Sequence, residues 1–229
     1  MTSKVITVFN QKGGVGKTAV SMHLGGTLAL RGWKTIIIDC DGQGTAVRWA
    51  AKAVDETYFL ATVCNLADAG KGLHREIKKF IADYDFIIVD CPPAIESPAP
   101  SSALIVSDLA LIPLVPAPSD MWASERAKNL VRDAWGINET LKARAVINMF
   151  QPKSPVAQEA AALMAEDEEI PPLNTKLQLR SPFRDCLIDG TTAHRMRNGQ
   201  AAVREIESLC DEVLGLLDMP KTPTKRKKG

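Results

Sequence analysis

The 229-residue chain is 45% apolar and carries 28 basic against 27 acidic residues, a formal net charge of +1. That balance excludes a protein that works as a polycation over its whole surface, so any nucleic-acid contact has to be a local patch. No stretch of about 18 uninterrupted apolar residues occurs and the N-terminus lacks the basic-then-apolar form of a secretory signal, which predicts a cytoplasmic protein.

Short apolar runs alternate with longer stretches of helical period, the sequence form of repeated βαβ units around a mostly parallel sheet. The expected fold is α/β and doubly wound. In chain order, a strand over 5–9 runs into the glycine-rich loop 10–17, and a helix over 18–31 is stopped by Gly32. A strand over 35–39 and a helix over 45–53 follow, then a strand over 58–63, a helix over 73–83 and a strand over 86–90. The second half gives a strand over 109–114, a helix over 123–137, a strand over 145–149, a helix over 156–165, a strand over 173–179 and a helix over 201–217. Ile36-Ile37-Ile38 and Phe86-Ile87-Ile88-Val89 are apolar at every position, as strands covered on both faces are. A single domain over 1–219 is expected, ending in a disordered basic tail over 220–229 where Lys221, Lys225, Arg226, Lys227 and Lys228 have no apolar anchor. The first strand begins close to Met1, which predicts that no DNA-reading module precedes it.

The chemistry starts at the first loop, Asn10-Gln11-Lys12-Gly13-Gly14-Val15-Gly16-Lys17-Thr18. Glycines let successive backbone N–H groups turn toward one point, and the helix N-terminus adds partial positive charge, so the run can wrap phosphates. Gly13, Gly14, Val15 and Gly16 are the expected cradle for ATP. Lys17 reaches the β- and γ-phosphates, and the Thr18 hydroxyl is offered to Mg²⁺. The usual Walker A pattern has a glycine where this chain has Gln11, and no fixed lysine where Lys12 stands.

Two carboxylate segments close strands: Asp39-Cys40-Asp41-Gly42-Gln43 after the second, and Asp90-Cys91-Pro92-Pro93 after the fourth. Both belong at the carboxyl edge, where ligands bind in open α/β sheets. Asp90 is placed as a Walker B aspartate to hold Mg²⁺, and Asp41 to join the metal shell and orient the attacking water. The competing reading makes these aspartates simple loop or helix caps.

Lys12-Gly13-Gly14-Val15-Gly16-Lys17-Thr18 resembles the deviant Walker A box of the ParA/MinD ATPases, and closest among them the small ParA-type partition ATPases. Asp39-Cys40-Asp41-Gly42-Gln43 is similar to that family's Asp-x-Asp-Pro-Gln box with Gly42 in place of the proline. Asp90-Cys91-Pro92-Pro93 matches its Asp-x-Pro-Pro form. The resemblance implies a P-loop fold, slow partner-stimulated ATP hydrolysis, and a sandwich homodimer in which Lys12 crosses to the nucleotide of the other subunit. It also implies that Pro118 and Asp120, in the run Pro116-Ala117-Pro118-Ser119-Asp120, close over the nucleotide, and that Asn148 contacts the adenine.

Three roles compete: a partition ATPase, a MinD-like membrane switch, and a metabolic ATP-dependent enzyme. The last helix carries acids on its polar side and should pack on the core rather than lie on a membrane. The basic tail suits DNA. The expected role is therefore plasmid or chromosome partition with a centromere-binding ParB-like adaptor, the ATP dimer binding DNA without sequence preference and associating with the nucleoid. Arg180, Arg184, Arg195 and Arg197 are the expected DNA contacts. Five cysteines without a CxxC pair predict reduced, mostly buried thiols and no metal beyond Mg²⁺. His23, His74 and His194 are expected on solvated or helix faces, and Trp33, Trp49, Trp122 and Trp135 in packing or at a dimer face.

Overall fold

A computed structural model describes residues 3–54, 58–93 and 97–223, with the backbone alone over 118–124. Strands β1 (Lys4–Val8), β2 (Thr35–Asp39), β3 (Thr62–Asn65), β4 (Phe86–Asp90), β5 (Leu109–Leu114) and β6 (Lys142–Ile147) form one parallel sheet in the order β3-β2-β4-β1-β5-β6. Helices α1 (Lys17–Leu30), α2 (Thr45–Ala50), α3 (Leu73–Lys78), α4 (Ala99–Leu104), α5 (Pro118–Trp135), α6 (Pro155–Ala165), α7 (Pro182–Asp185) and α8 (Gln200–Leu216) connect and cover it.

Strands β2, β4 and β5 are buried at every position because helices lie on both faces. Side chains alternate between two cores with the strand period of two. Ile37 and Ile88 join α1, α2, α7 and α8 on one face, while Ile36, Ile38, Ile87 and Val89 join α3, α4, α5 and α6 on the other. Helix α8 packs as its sequence predicts, with Ala202, Ile206, Leu209, Cys210, Val213 and Leu214 buried at helical spacing. Each isoleucine, leucine or valine among them contributes about 1.5–3 kcal/mol on withdrawal from water.

The expected strand over 173–179 is not a ladder. Its ends touch the sheet through the isolated bridges Ala145↔Pro172 and Phe150↔Gln178. Leu173 and Leu177 N–H still reach the Ala145 and Ile147 carbonyls of β6, but Asn174 and Thr175 donate to the Glu212 carboxylate on α8 and Gln178 to Glu205, so the pairing is interrupted. Pro171 and Pro172 have no donor to offer. Helix α2 stops at Ala50 and α3 at Lys78, short of the expected ends, and β3 begins at Thr62 rather than Tyr58. Helix α4 is unexpected from sequence, since Ser97-Pro98-Ala99-Pro100-Ser101-Ser102 has loop composition. It forms with proline in its first turn, where no N–H is missed, and buries Ala103 and Leu104.

Cys40, Cys91, Cys186 and Cys210 are buried free thiols and Cys64 is half-buried, as expected. Trp33 and Trp49 are core residues, whereas the side chain of Trp122 lies outside the described residues. The chain is described to Pro223, and Lys221 Nζ lies 2.5 Å from Asp211 Oδ2 on α8. Lys225, Arg226, Lys227 and Lys228 lie outside the described residues.

Candidate nucleotide site

Parallel register puts the three central strand ends level: Val8 of β1 and Asp39 of β2 both pair with Asp90 of β4. The loop leaving β1 therefore rises directly beside two carboxylates. Gly14 and Gly16 take φ of 77° and 86°, left-handed values that favour glycine. Gly16 also caps α1 without any side-chain hydrogen bond, so the first N–H groups of that helix have no side-chain acceptor at the cap.

Lys17 is buried, and its Nζ donates to the Lys12 carbonyl at 2.9 Å. Burial lowers its pKa below the usual lysine value, opposed by the charges of Asp90, Cys91 and Asp41, so Asp41 is near enough to act on this ammonium. Lys12 is half-buried at the outer turn, its N–H donating to Asn10 Oδ1 at 3.0 Å. Asn10 in turn donates from Nδ2 to the Pro113 carbonyl of β5 at 2.9 Å.

Asp90 is 1% exposed. Ser21 Oγ lies 3.0 Å from its Oδ1, and the Thr18 side chain hydrogen-bonds to it as well. Burial pushes the Asp90 carboxyl up to about 7, the Thr18 hydrogen bond pulls it down, and neighbouring Asp39 adds to the rise. A carboxylate that resists ionisation in a dry strand end, bonded to the hydroxyl of the residue after the loop lysine, is the donor set for a hard divalent cation. Thr18 and Asp90 are brought together as the sequence predicts. Magnesium and a triphosphate fit the residues present: the loop and Lys17 supply positive charge, and Asp90 gains its counterion.

The two acids of the Asp39-Cys40-Asp41 segment divide their work. Asp39 is fully buried and accepts the N–H groups of Asp41, Ala46 and Val47, at 3.0, 2.9 and 3.3 Å, which caps the start of α2. The capping role is thus real for Asp39. Asp41 is half-buried and accepts the Gln43 N–H at 2.9 Å on Oδ1. Its own carbonyl accepts Gly44 N–H and Asn65 Nδ2, closing the turn around Gly42.

Asn148 is buried after β6 and donates from Nδ2 to the Val15 carbonyl at 2.8 Å. A narrow, mostly apolar cleft lined by Ala19, Asn148, Met149, Leu177, Leu179 and Phe183 opens beside it. Pro118 opens α5 after an extended Ala117, but the side chains of Pro118 and Asp120 lie outside the described residues.

Of the four arginines, Arg180 and Arg184 line the same cleft beside Asn148. Arg180 pairs with Glu205 at 2.8 Å and bonds Gln178, while Arg184 on α7 and Arg195 and Arg197 before α8 are exposed. His23 corrects an expectation: it is 1% exposed, held between Trp49 and Phe183 at ring distances of 5.5 and 5.0 Å. Burial lowers its pKa to about 4, against the Phe183 carbonyl hydrogen bond that raises it, so it stays neutral. Sequence reasoning passed over Asn10, Ser21 and Asp39. Ser21 was legible in principle, being one helical turn beyond Lys17 on the face that meets β4.

The charge pattern of this edge is that of a triphosphate and its metal in reverse, and with the sheet order it defines a P-loop nucleotide-binding protein. The chain belongs to the CobQ/CobB/MinD/ParA nucleotide-binding domain family, whose profile matches residues 6–190. It is 30% identical over 213 residues to the maintenance of carboxysome distribution protein A of Halothiobacillus neapolitanus, covering 91% of this chain and 95% of that one. The fold is similar to McdA of Cyanothece solved as an ATP complex, with a TM-score of 0.78 at 17% identity over 97% of this chain and 99% of that one. It is also similar to cobyrinic acid a,c-diamide synthase from Mycobacterium smegmatis with bound ADP and magnesium, with a TM-score of 0.73 at 20% identity over 98% and 100% of the two chains.

Proposed function

We propose that the chain is a ParA-type ATPase that binds Mg-ATP as a sandwich homodimer, hydrolyses it slowly, and in the ATP state binds DNA without sequence preference. The carrying observation is the pair of lysines on one phosphate loop. Lys17 fills the loop's interior on the Lys12 carbonyl, and Lys12, half-buried at the start of the same loop, is the second lysine of the deviant pattern. In this reading Lys12 serves the nucleotide of the partner subunit, Thr18 and Asp90 hold Mg²⁺, and Asp41 orients the attacking water. Magnesium, when bound, neutralises charge on the phosphates. The protein's own part is positioning: Asp39 fixes the turn that presents Asp41, and Asn10 fixes the loop that presents Lys17.

The role that follows is positioning of a large cargo, recruited by a ParB-like adaptor. Partition of a plasmid or chromosome is one cargo. The extended match to a maintenance of carboxysome distribution protein supports a second, a carboxysome. A membrane switch is less well supported, because the apolar face of α8 is spent on the core.

Light scattering with and without ATP, alongside phosphate release, tests the dimer. Wild type is expected to dimerise only with ATP. Lys12→Ala loses dimerisation and turnover while keeping nucleotide, and Asp41→Ala dimerises but turns over at least tenfold more slowly, as loss of a transition-state contact should. A Lys12→Ala protein that dimerises and turns over normally would defeat the reading.

A further inference from the structure

Asn148 stands where the sheet, the phosphate loop and the apolar cleft meet. Its backbone N–H donates to the Leu114 carbonyl of β5 at 2.8 Å, which fixes the residue to the strand end. Its side-chain amide donates to Val15 O at 2.8 Å, and a Cβ added to Gly16 would lie 2.3 Å from the same Nδ2. The amide is therefore pressed against the final peptide of the loop, with 7% of the residue exposed. At the other end Asn10 bonds both Pro113 O of β5 and the Lys12 N–H. Two asparagines thus lace the loop to one strand end, one at its entry and one at its exit.

The consequence follows from peptide planarity. The Val15–Gly16 peptide is trans, so the Gly16 N–H points opposite to Val15 O. A bond that holds the carbonyl toward Asn148 aims the N–H away from it. That N–H begins α1, where the helix has no side-chain cap of its own. Gly16, at φ 86°, has wide torsional freedom, and nothing in its own side chain limits it.

We propose that Asn148 is a positioning residue for the phosphate loop: its amide orients the Val15–Gly16 peptide so that the Gly16 N–H is aimed at the phosphates before ligand arrives. This goes beyond the adenine contact that the family resemblance implies for Asn148, and it rests on the triphosphate reading of the site. Preorientation acts on the phosphates whatever base they carry. A neutral hydrogen bond is worth a factor of about five to ten in affinity.

The test compares Mg-tripolyphosphate, which has no base, with Mg-ATP by isothermal titration on wild type, Asn148→Ala and the isosteric Asn148→Asp. Amide hydrogen exchange over 13–18 in the ligand-free proteins is the second readout. Both variants are expected to lose about fivefold to tenfold in affinity for both ligands alike, with faster exchange confined to the loop. Unchanged tripolyphosphate affinity with weakened ATP binding would make Asn148 a base reader only. Unchanged affinity for both ligands, or loss of the fold in both variants, would also overturn the proposal. Wild type that binds neither ligand would instead defeat the nucleotide reading itself.

Discussion

The phosphate edge and the segment from Arg180 to Arg197 are built in opposite ways. At the edge, chemistry is contiguous: parallel register sets one loop and two strand ends level, so Lys17, Thr18 and Asp90 come from adjacent strand ends. The arginine segment has little regular structure and is held from outside. Trp49 Nε1 donates to Thr191 O at 2.9 Å, Ala193 N–H donates to His23 Nδ1 at 3.5 Å, and Arg180 is tied to Glu205. Gly190 lies so close to the end of α2 that a Cβ there would meet Ala53 N at 2.1 Å. A site made by local order tolerates little change within it, whereas a surface made by distant contacts can be disturbed from residues that never touch its ligand. Helix α2 joins the two regions, since its start is capped by Asp39 and its Trp49 donates to Thr191 O.

The largest expected difference between the regions comes from deleting one cation in each. Lys17→Ala should reduce Mg-ATP affinity by at least a hundredfold, because the loop loses its interior charge. Arg184→Ala should leave that affinity within about twofold, since a charge on an exposed side chain is screened by solvent. Calorimetric titration reads both. Comparable losses would mean that the arginine segment belongs to the nucleotide site.

A second contrast is electrostatic and concerns stability without ligand. His23 binds its proton only near pH 4 in the folded chain against 6.5 when unfolded, so it contributes stability above 6.5 that is lost as pH falls toward 4. Asp90 has the opposite sign: its folded value near 7 exceeds the ordinary 3.8, so stability falls as pH rises through that window. The two slopes oppose each other in wild type. Asp90→Asn removes one, and the metal-free variant should gain more stability between pH 4 and 6.5 than wild type does. Urea melts across pH decide it, and a flat Asp90→Asn profile would show that His23 does not titrate as a buried neutral group.

Trp49→Phe should cost about 1–2 kcal/mol by leaving Thr191 O without its donor, with a melting temperature lower by several degrees and unchanged ATP affinity. Limited proteolysis should find new cuts near Arg184 to Arg197. If cuts appear in the phosphate loop instead, α2 does not hold the arginine segment in the way described. The smallest effect is expected from Gly42→Pro. Gly42 has a φ outside the left-handed range and open space where a Cβ would stand, and it follows Asp41 in the turn closed by Gly44 N–H. Proline there should add about 0.4–1 kcal/mol.

The difference in construction also explains what the sequence disclosed. Five of the six sheet strands were legible from apolar runs, with β3 expected too early in the chain, and Lys17, Thr18 and Asp90 from their spacing to strand ends. What stayed hidden depended on distant partners. Glu212 takes the Asn174 and Thr175 donors and prevents a seventh strand, and Trp49 with Phe183 buries a histidine whose neighbours in sequence give no sign of it. Asp39 and Asp41 look alike in the chain, and only the N–H groups of α2 separate a cap from a presented carboxylate.

The central claim is that the nucleotide held at the phosphate edge governs binding at the arginine segment. Fluorescence anisotropy with two unrelated duplexes, across a salt series in the ATP-analogue, ADP and nucleotide-free states, tests it most directly. The account predicts binding in the ATP state alone, equal for both duplexes, with log affinity falling against log salt by about 0.9 per phosphate contact and a shallower slope for Arg184→Ala. Binding that is indifferent to nucleotide, or confined to one duplex, would contradict it, as would its absence from DNA while anionic vesicles are bound.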